Sequence, residues 1–165
     1  MHGLNSYAVV AYLNGSLASF VENLRREFTP GCSHRAHITI LPPRPLQTDV
    51  AVAIEYCRDV LARQTDFEVR PVAVGLFDTT GVIKLSLESE DARLSELHKA
   101  LNDDVLRHEE TYGYVPHITL AQAIPSANLA ARLESARLRW KGFGKPAPVL
   151  VRTLTFVQQI ADDRW

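Results

Sequence analysis

The sequence has few cysteines and almost no net charge. Its two cysteines, Cys32 and Cys57, are too few for a disulfide framework, and they form no Cys-x-x-Cys pair that would indicate a metal or redox motif. The formal net charge is −1, so no overall basic field would attract a long nucleic acid. Any contact with nucleic acid is therefore expected to be local, at an end or at a single nucleotide.

Long apolar runs are also lacking. The segment Tyr7–Leu13 is apolar but far too short to span a bilayer, and no basic segment followed by an apolar core indicates a secretory signal. We therefore expect a cytoplasmic protein with no membrane partner. Its 165 residues, 46% of them hydrophobic and 22% charged, are typical of one globular domain. We expect a single bilobal domain over residues 1–165 that acts as a monomer.

Hydrophobic periodicity predicts five elements in each half of the chain, in the order strand, helix, strand, helix, strand. In the first half they cover Ser6–Leu13, Gly15–Phe28, His34–Leu41, Asp49–Gln64 and Phe67–Phe77. In the second half they cover Val82–Leu87, Asp91–Leu106, Val115–Ala123, Ser126–Arg137 and Val149–Ile160, with a linker over Gly142–Pro148. Pro42 and Pro43 are expected to end the third element, because proline cannot donate to a β-ladder.

The repeated order of elements indicates an internal duplication. An offset of 80 residues aligns the halves, and it places Val149 opposite Val69. We predict that residues of approximately 6–77 and 82–160 are the two copies. The fold class that follows is α+β, with two pseudo-symmetric lobes, each an antiparallel sheet with two helices, facing one another across a central cleft.

Two nearly identical tetrapeptides occupy equivalent positions in the two halves, His37-Ile38-Thr39-Ile40 and His117-Ile118-Thr119-Leu120. Side chains alternate between the faces of a strand, so the histidine and threonine of each motif share one face and the apolar residues face the core. A twofold relation would then line the cleft with two imidazoles and two hydroxyls. Structural histidines and the ordinary β-propensity of threonine are the alternatives, and neither explains the symmetry.

This set of side chains suits phosphodiester chemistry. A base must remove a proton from the attacking oxygen and an acid must protonate the leaving oxygen, and histidine serves in either role near neutral pH. Hydroxyl donors stabilise the non-bridging phosphoryl oxygens in the transition state. We predict His37 and His117 as the catalytic pair and Thr39 and Thr119 as phosphate contacts. The chemistry requires no metal ion or other cofactor.

With two His-x-Thr-x motifs in a duplicated α+β chain, the sequence resembles the 2H phosphoesterase superfamily over nearly its whole length. It is most similar to the branch of bacterial 2′-5′ RNA ligases and RNA 2′,3′-cyclic phosphodiesterases. The resemblance implies a bilobal fold, catalysis by His37 and His117, and phosphate binding by Thr39 and Thr119. It also implies a nucleotide or RNA end as partner, with a 2′,3′-cyclic phosphate or a 2′-5′ linkage that is hydrolysed or, in reverse, ligated.

The chain departs from that branch at two places beside the expected cleft. Relatives often have an aromatic and glycine segment soon after the first motif, where this chain has Pro42-Pro43-Arg44-Pro45. They also often have a basic residue directly after the second motif, where Gln122 stands here. Both differences concern the choice of substrate more than the superfamily.

Two further residues near the motifs are candidates for substrate binding. Arg44 follows the first motif and could meet a phosphate, although a solvated arginine is an equal alternative. Tyr114 precedes the second motif and could stack on a base, with simple packing as the alternative. A non-catalytic module that binds a nucleotide or an RNA end is the rival to an enzyme. A purely structural domain gives no reason for two matching His/Thr pairs.

Overall fold

The computed structural model describes residues 5–161 and 164–165. Within these residues the chain forms seven β-strands and four α-helices. In chain order they are β1 (Ser6–Tyr12), α1 (Gly15–Phe28), β2 (His37–Pro45), α2 (Val50–Leu61), β3 (Phe67–Phe77), β4 (Val82–Ser89), α3 (Arg93–Leu101), β5 (His117–Ala121), α4 (Ser126–Phe143), β6 (Val149–Val151) and β7 (Thr155–Gln158). None of the helices in this part of the chain is long and apolar enough to cross a membrane.

The strands form two antiparallel sheets, with the orders β2-β1-β7 and β5-β4-β3-β6 among the described residues. The predicted α+β fold with two antiparallel-sheet lobes is confirmed. Each lobe, however, combines strands from both halves of the chain, because β3 pairs with β4 and β7 pairs with β1. The two copies inferred from sequence are therefore not separate lobes in space, and the duplication itself stays a prediction.

The two sequence halves meet where β3 pairs with β6. There Val69 and Val149 are direct register partners. They are the two residues that the 80-residue offset aligns. A residue and its counterpart can lie opposite one another in an antiparallel pair only close to a twofold axis. If the two halves are copies, as predicted, their pseudo-twofold axis passes near this pair.

The prediction that Pro42 and Pro43 end the first motif strand is wrong. β2 continues to Pro45, which pairs with Ser6 of β1. Two physical features allow this: β2 lies at the edge of its sheet, so one side of its backbone needs no ladder partner, and the register shifts between Tyr7 and Val9. The first motif therefore lies on a longer strand than expected.

Boundaries elsewhere also differ from the prediction, most of all at α3, α4 and the expected closing strand. α3 is shorter because Asp91 and Ala92 have positive φ angles of 50° and 52° and separate it from the preceding turn. α4 runs into the expected linker and ends before Gly144, whose φ of 87° does not continue a helix. The expected closing strand is interrupted after Val151, so β6 and β7 join different sheets.

One continuous hydrophobic cluster connects the two sheets. The apolar residues of both motifs lie inside it, and Ile38, Ile40, Ile118 and Leu120 are each 0% exposed. Burial of each such side chain stabilises the fold by about 1.5–3 kcal/mol. Shifting either strand by one residue would expose these side chains, so the core fixes which face of each motif points away from it.

Candidate active site

The two motif strands meet although they belong to different sheets. β2 and β5 lie in contact, α1 contacts β5, and α3 contacts β2. His37 and Thr39 lie half-buried on β2, and His117 and Thr119 lie half-buried on β5. These four side chains alternate with the fully buried apolar residues of the motifs, as the sequence predicts. The fold thus brings one histidine and one threonine from each lobe to the region between the lobes.

Both histidines are held by the same backbone contact. Nδ1 of His37 lies 2.7 Å from the carbonyl oxygen of Arg35, and Nδ1 of His117 lies 2.7 Å from that of Val115. A carbonyl oxygen only accepts, so Nδ1 carries the hydrogen in each neutral imidazole. Nε2 is then the nitrogen with a free lone pair. Each histidine is therefore oriented to take up or donate a proton through Nε2.

The His37 imidazole strongly favours its neutral form. Burial lowers the pKa of His37 to about 4, and the nearby Arg25 guanidinium, His34 and His117 add to the lowering. Arg25 is itself only 4% exposed. It donates from Nη1 to the carbonyl of Arg35 at 2.9 Å, the same carbonyl that orients His37. A positive charge thus lies directly behind this histidine.

Near His117, Lys84 adds a second positive charge to that of Arg25. Burial lowers the pKa of His117, and Lys84 and Arg25 contribute in the same direction. The Phe77 ring lies beside His117, with centroids 4.9 Å apart and planes at 85°. The Lys84 ammonium lies 4.6 Å from the centroid of that same Phe77 ring. Here the cation lies on the half-buried face of the sheet, next to the histidine.

An aromatic residue also accompanies His37. The Tyr12 ring, at the register position paired with His37, meets the imidazole nearly at right angles, with centroids 6.3 Å apart. The exposed Arg35 guanidinium lies over the Tyr12 ring, 4.2 Å from its centroid. The His37 side of the site thus has an aromatic ring and an exposed arginine at its rim. The corresponding cation on the His117 side, Lys84, is half-buried.

Each motif is braced by a side chain from the other half of the chain. Nε of Arg25 donates to the carbonyl of Thr119 at 2.8 Å, and the Tyr114 hydroxyl donates to the carbonyl of Thr39 at 2.9 Å. These bonds fix the backbone of both threonines. Neither threonine hydroxyl has a hydrogen-bond partner among the described residues. Both hydroxyls therefore remain available to an added phosphoryl group.

Tyr114 has a positioning function in this structure. Besides its bond to Thr39, its ring is stacked on His98 with centroids 4.1 Å apart. His98 is 6% exposed and contacts the carbonyl of Ile40 through Nδ1 at 2.8 Å. Burial raises the pKa of the Tyr114 hydroxyl, which keeps it protonated as a donor. One ring face is thus already covered, which does not favour stacking of a base there.

Arg44 is not brought to the motifs. It is 2% exposed and forms an ion pair with Glu110. It also donates to Asn102 Oδ1 at 2.6 Å and to the carbonyl of Pro42 at 3.0 Å. All three guanidinium nitrogens of Arg44 thus have partners within the protein, so we do not include Arg44 in the proposed site. Sequence position beside the motif does not reveal this, because Asn102 and Glu110 are about 60 residues away in the chain.

Two residues next to the motifs were not singled out from sequence. Arg25 falls within the apolar stripe of α1, four residues after the buried Val21, which is an unusual place for a charge unless it is paired. Lys84 alternates with the buried Ile83 and Leu85 of β4, which indicates a cation on the face opposite the core. Both signals are present in the sequence, but their meaning depends on knowing that α1 packs against β5 and that β4 pairs with β5.

The arrangement supports acid–base chemistry at one phosphoryl group. It offers two Nε2 atoms, two free hydroxyls and nearby positive charge. Among residues 5–161 and 164–165, no group of three or more His, Cys, Asp or Glu side chains is placed to hold a metal ion. The two thiols, Cys32 and Cys57, are free.

Comparisons with known proteins agree with this fold. The sequence matches the 2′-5′ RNA ligase superfamily over residues 14–163. It is 24% identical over 133 residues to a protein of Geobacillus sp. (strain WCH70) named as a "Putative phosphoesterase", which covers 75% of this chain and 73% of that protein. A similarly named protein of Geobacillus thermodenitrificans (strain NG80-2) is 21% identical over 142 residues, covering 81% and 78%. A solved structure titled as that of a phosphoesterase superposes with a TM-score of 0.60 at 16% identity, covering 97% of this chain and 91% of that one.

Proposed function

Because this chain belongs to the 2′-5′ RNA ligase superfamily, we propose that it is a metal-independent phosphoesterase of RNA ends or small nucleotides. The proposed substrate is a nucleoside 2′,3′-cyclic phosphate or a 2′-5′ phosphodiester, and the same site would run the reverse ligation. The observation that carries the proposal is the matched pair His37 and His117, each held through Nδ1 with Nε2 free, on two strands that meet. We place the reaction in the cytoplasm, where free thiols persist.

In the proposed mechanism the phosphoryl group lies between the two motifs. One neutral imidazole accepts a proton at Nε2 from water or a ribose hydroxyl, which attacks phosphorus. The other imidazole, protonated at Nε2, donates its proton to the leaving oxygen. The hydroxyls of Thr39 and Thr119 donate to the non-bridging oxygens and stabilise their charge.

The electrostatics favour His37 as the base in hydrolysis. Its pKa is lowered to about 4, by burial first and by Arg25 second, so its imidazole is neutral near neutral pH. His117 is then the acid, and its own pKa is also lowered, mainly by burial. In the reverse direction the two roles exchange.

These pKa directions predict the pH profile. The profile of kcat/KM should be bell-shaped, because only enzyme with one neutral and one charged imidazole reacts, and the two apparent pKa values belong to the pair. Its alkaline limb should lie below pH 6.5, the ordinary pKa of histidine. A bound phosphodiester anion favours the charged imidazole, so the alkaline limb of kcat should lie at higher pH than that of kcat/KM.

The proposal is tested by turnover. Nucleoside 2′,3′-cyclic phosphates and 2′-5′-linked dinucleotides are incubated with the protein in excess EDTA, and products are separated chromatographically. We expect product formation with EDTA, and formation at least about 100-fold slower with His37→Gln or His117→Gln. His108→Gln is the matched control, since it makes the same substitution outside the motifs and should retain wild-type activity.

Three outcomes would reject the proposal. Activity that disappears on chelation and returns with one divalent ion would refute the metal-independent mechanism. Tight binding of these nucleotides without turnover across the pH range would instead identify a binding module. A folded His37→Gln or His117→Gln protein with near-normal turnover would show that the reaction uses other groups.

A further inference from the structure

The two lobes differ at one pair of corresponding positions beside the threonines. In the first sheet, Val10 of β1 is the register partner of Thr39, and it is 3% exposed. In the second sheet, Lys84 of β4 is the register partner of Thr119. Directly paired residues of an antiparallel sheet have side chains on one face, about 5 Å apart at Cβ. A lysine thus lies beside Thr119, where the other lobe has a buried valine.

The Lys84 ammonium is held in place without an acidic partner. Its Nζ lies 3.1 Å from Ser86 Oγ and 4.6 Å from the centroid of the Phe77 ring. Gly75, the β3 partner of Lys84, has no side chain, and a Cβ there would lie 3.8 Å from Lys84 Cε. No ion pair in the described part of the chain includes Lys84. A half-buried ammonium without a counter-ion is an attractive site for an anion.

The surrounding residues indicate which anion it would meet. Ser86, which holds the ammonium, is the register partner of His117. Phe77 contacts both the Lys84 ammonium and the His117 ring. An anion placed at Nε2 of His117 and at the Thr119 hydroxyl would therefore also lie next to the ammonium.

We infer that Lys84 is a phosphoryl-binding residue that donates to a non-bridging oxygen of the same phosphoryl group as Thr119. This inference rests on the proposed function and adds a residue to its site. The His-x-Thr-x motifs contain no lysine or arginine, and Lys84 adds a positive charge beside the second motif. The other lobe has no cation at the corresponding position, which is Val10. The ammonium attracts the negatively charged non-bridging oxygens of the phosphoryl group toward His117. The substrate therefore binds in one of the two orientations that a symmetric cleft would allow.

Three variants test this inference. Lys84→Gln removes the charge, Lys84→Arg keeps it, and Lys145→Gln removes an exposed charge elsewhere. Two quantities are measured for each: the dissociation constant of inorganic phosphate, by calorimetry, and kcat/KM on a nucleoside 2′,3′-cyclic phosphate as a function of pH. Circular dichroism establishes that each variant is folded.

Lys84→Gln should raise the dissociation constant of phosphate and lower kcat/KM by about 10- to 150-fold, the loss expected for one charge-assisted hydrogen bond. Lys84→Arg should recover most of both, and Lys145→Gln should match the wild type. The alkaline limb of the Lys84→Gln profile should also move to higher pH, because Lys84, together with Arg25, holds the pKa of His117 down. That shift tests the position of the ammonium beside His117, whereas the dissociation constant of phosphate tests its contact with the phosphoryl group.

The outcomes separate this inference from the proposed function. If substrate is turned over but Lys84→Gln binds phosphate as the wild type does, the inference is wrong and the proposed function stands. If no phosphodiester is turned over but phosphate binding depends on the charge at position 84, the function is wrong and the anion site stands. Wild-type protein that does not bind phosphate, or Lys84→Arg that binds no better than Lys84→Gln, would also overturn the inference.

Discussion

His37 and His117 make the same backbone contact, with Nδ1 2.7 Å from the carbonyl two residues earlier, yet the charges around them come from different directions. Behind His37 is a buried guanidinium, Arg25, that shares its carbonyl partner. Beside His117 is a half-buried ammonium, Lys84, held by Ser86 and Phe77. The backbone geometry is repeated in the two lobes, and the electrostatics are not.

This difference gives the two histidines different tasks in a nearly symmetric cleft. A cation buried in the fold lowers a histidine pKa permanently, whereas a cation on the half-buried face can be neutralised by an anionic ligand. Arg25 therefore continues to lower the pKa of His37 when substrate is bound, which favours the neutral form of this base. The charge of His117 should depend on occupancy, because a phosphoryl group placed beside Lys84 offsets the repulsion between the two cations.

The largest expected effect on activity comes from replacing each histidine separately. His37→Gln and His117→Gln should each lower kcat/KM by about 100- to 10,000-fold, the usual contribution of a general acid or base. The double variant should lose much less than the product, because the groups act as one unit. The measurement is steady-state turnover of the best cyclic phosphate, with thermal melting to establish folding. Strictly multiplicative losses would contradict a concerted pair.

Arg25 and Tyr114, which bond to the backbones of the two motifs, can be compared through the free energy of unfolding of their variants. Arg25→Met removes the Arg25 donor from the backbone carbonyls of Thr119 and His34, and one of the two donors from that of Arg35. Tyr114→Phe removes the side-chain donor only from the carbonyl of Thr39. Each such buried carbonyl costs about 1–3 kcal/mol. We expect the loss of unfolding free energy, measured by urea denaturation at pH 7, to be about twice as large for Arg25→Met. Equal losses would mean that the lobes are braced equally.

Replacing each threonine tests whether Lys84 contributes to phosphoryl binding only beside Thr119. Thr39→Val and Thr119→Val each remove one hydrogen bond to the charged phosphoryl group, worth about 1.5–3 kcal/mol. Thr39→Val should have the larger effect on kcat/KM, because Thr119 has Lys84 as its register partner and Thr39 has the buried Val10. In a Lys84→Gln background the difference between the two threonine variants in kcat/KM should reverse or disappear. An unchanged order there would refute the asymmetric phosphate site.

The smallest expected effect concerns stability at acidic pH. The pKa of His37 is about 4 in the fold, against 6.5 ordinarily, so the unfolded chain binds more protons between these values. Its contribution to stability is therefore complete above pH 6.5 and is lost as the pH falls toward 4. His37→Gln should show a smaller drop in melting temperature than the wild type between pH 7 and pH 5. An identical drop would show that the pKa of His37 is not lowered.

Local pattern explains why much of this molecule could be predicted from its sequence. Strand alternation placed Ile38, Ile40, Ile118 and Leu120 in the core, and all four are fully buried. Their burial leaves the histidines and threonines on the other face. Period-two alternation depends only on neighbouring residues, so it needs no knowledge of how the strands pair.

What could not be predicted depends on contacts between distant residues. β2 continues through its prolines because it lies at a sheet edge, and edge position follows from the order of all the strands. Arg44 lies next to the first motif but is bound by Asn102 and Glu110, which come from the other half of the chain. The significance of Lys84 likewise requires the register of β4 against β5.

The most direct test of the account is a titration of the protein with inorganic phosphate, followed by NMR of the His37 and His117 imidazole nitrogens. If both histidines act on one phosphoryl group, both sets of signals should shift with the same dissociation constant and a stoichiometry of one phosphate per chain. Both pKa values should rise on binding, because the anion stabilises the charged imidazoles. Shifts at only one histidine, or two different dissociation constants, would contradict a single site shared by the two lobes.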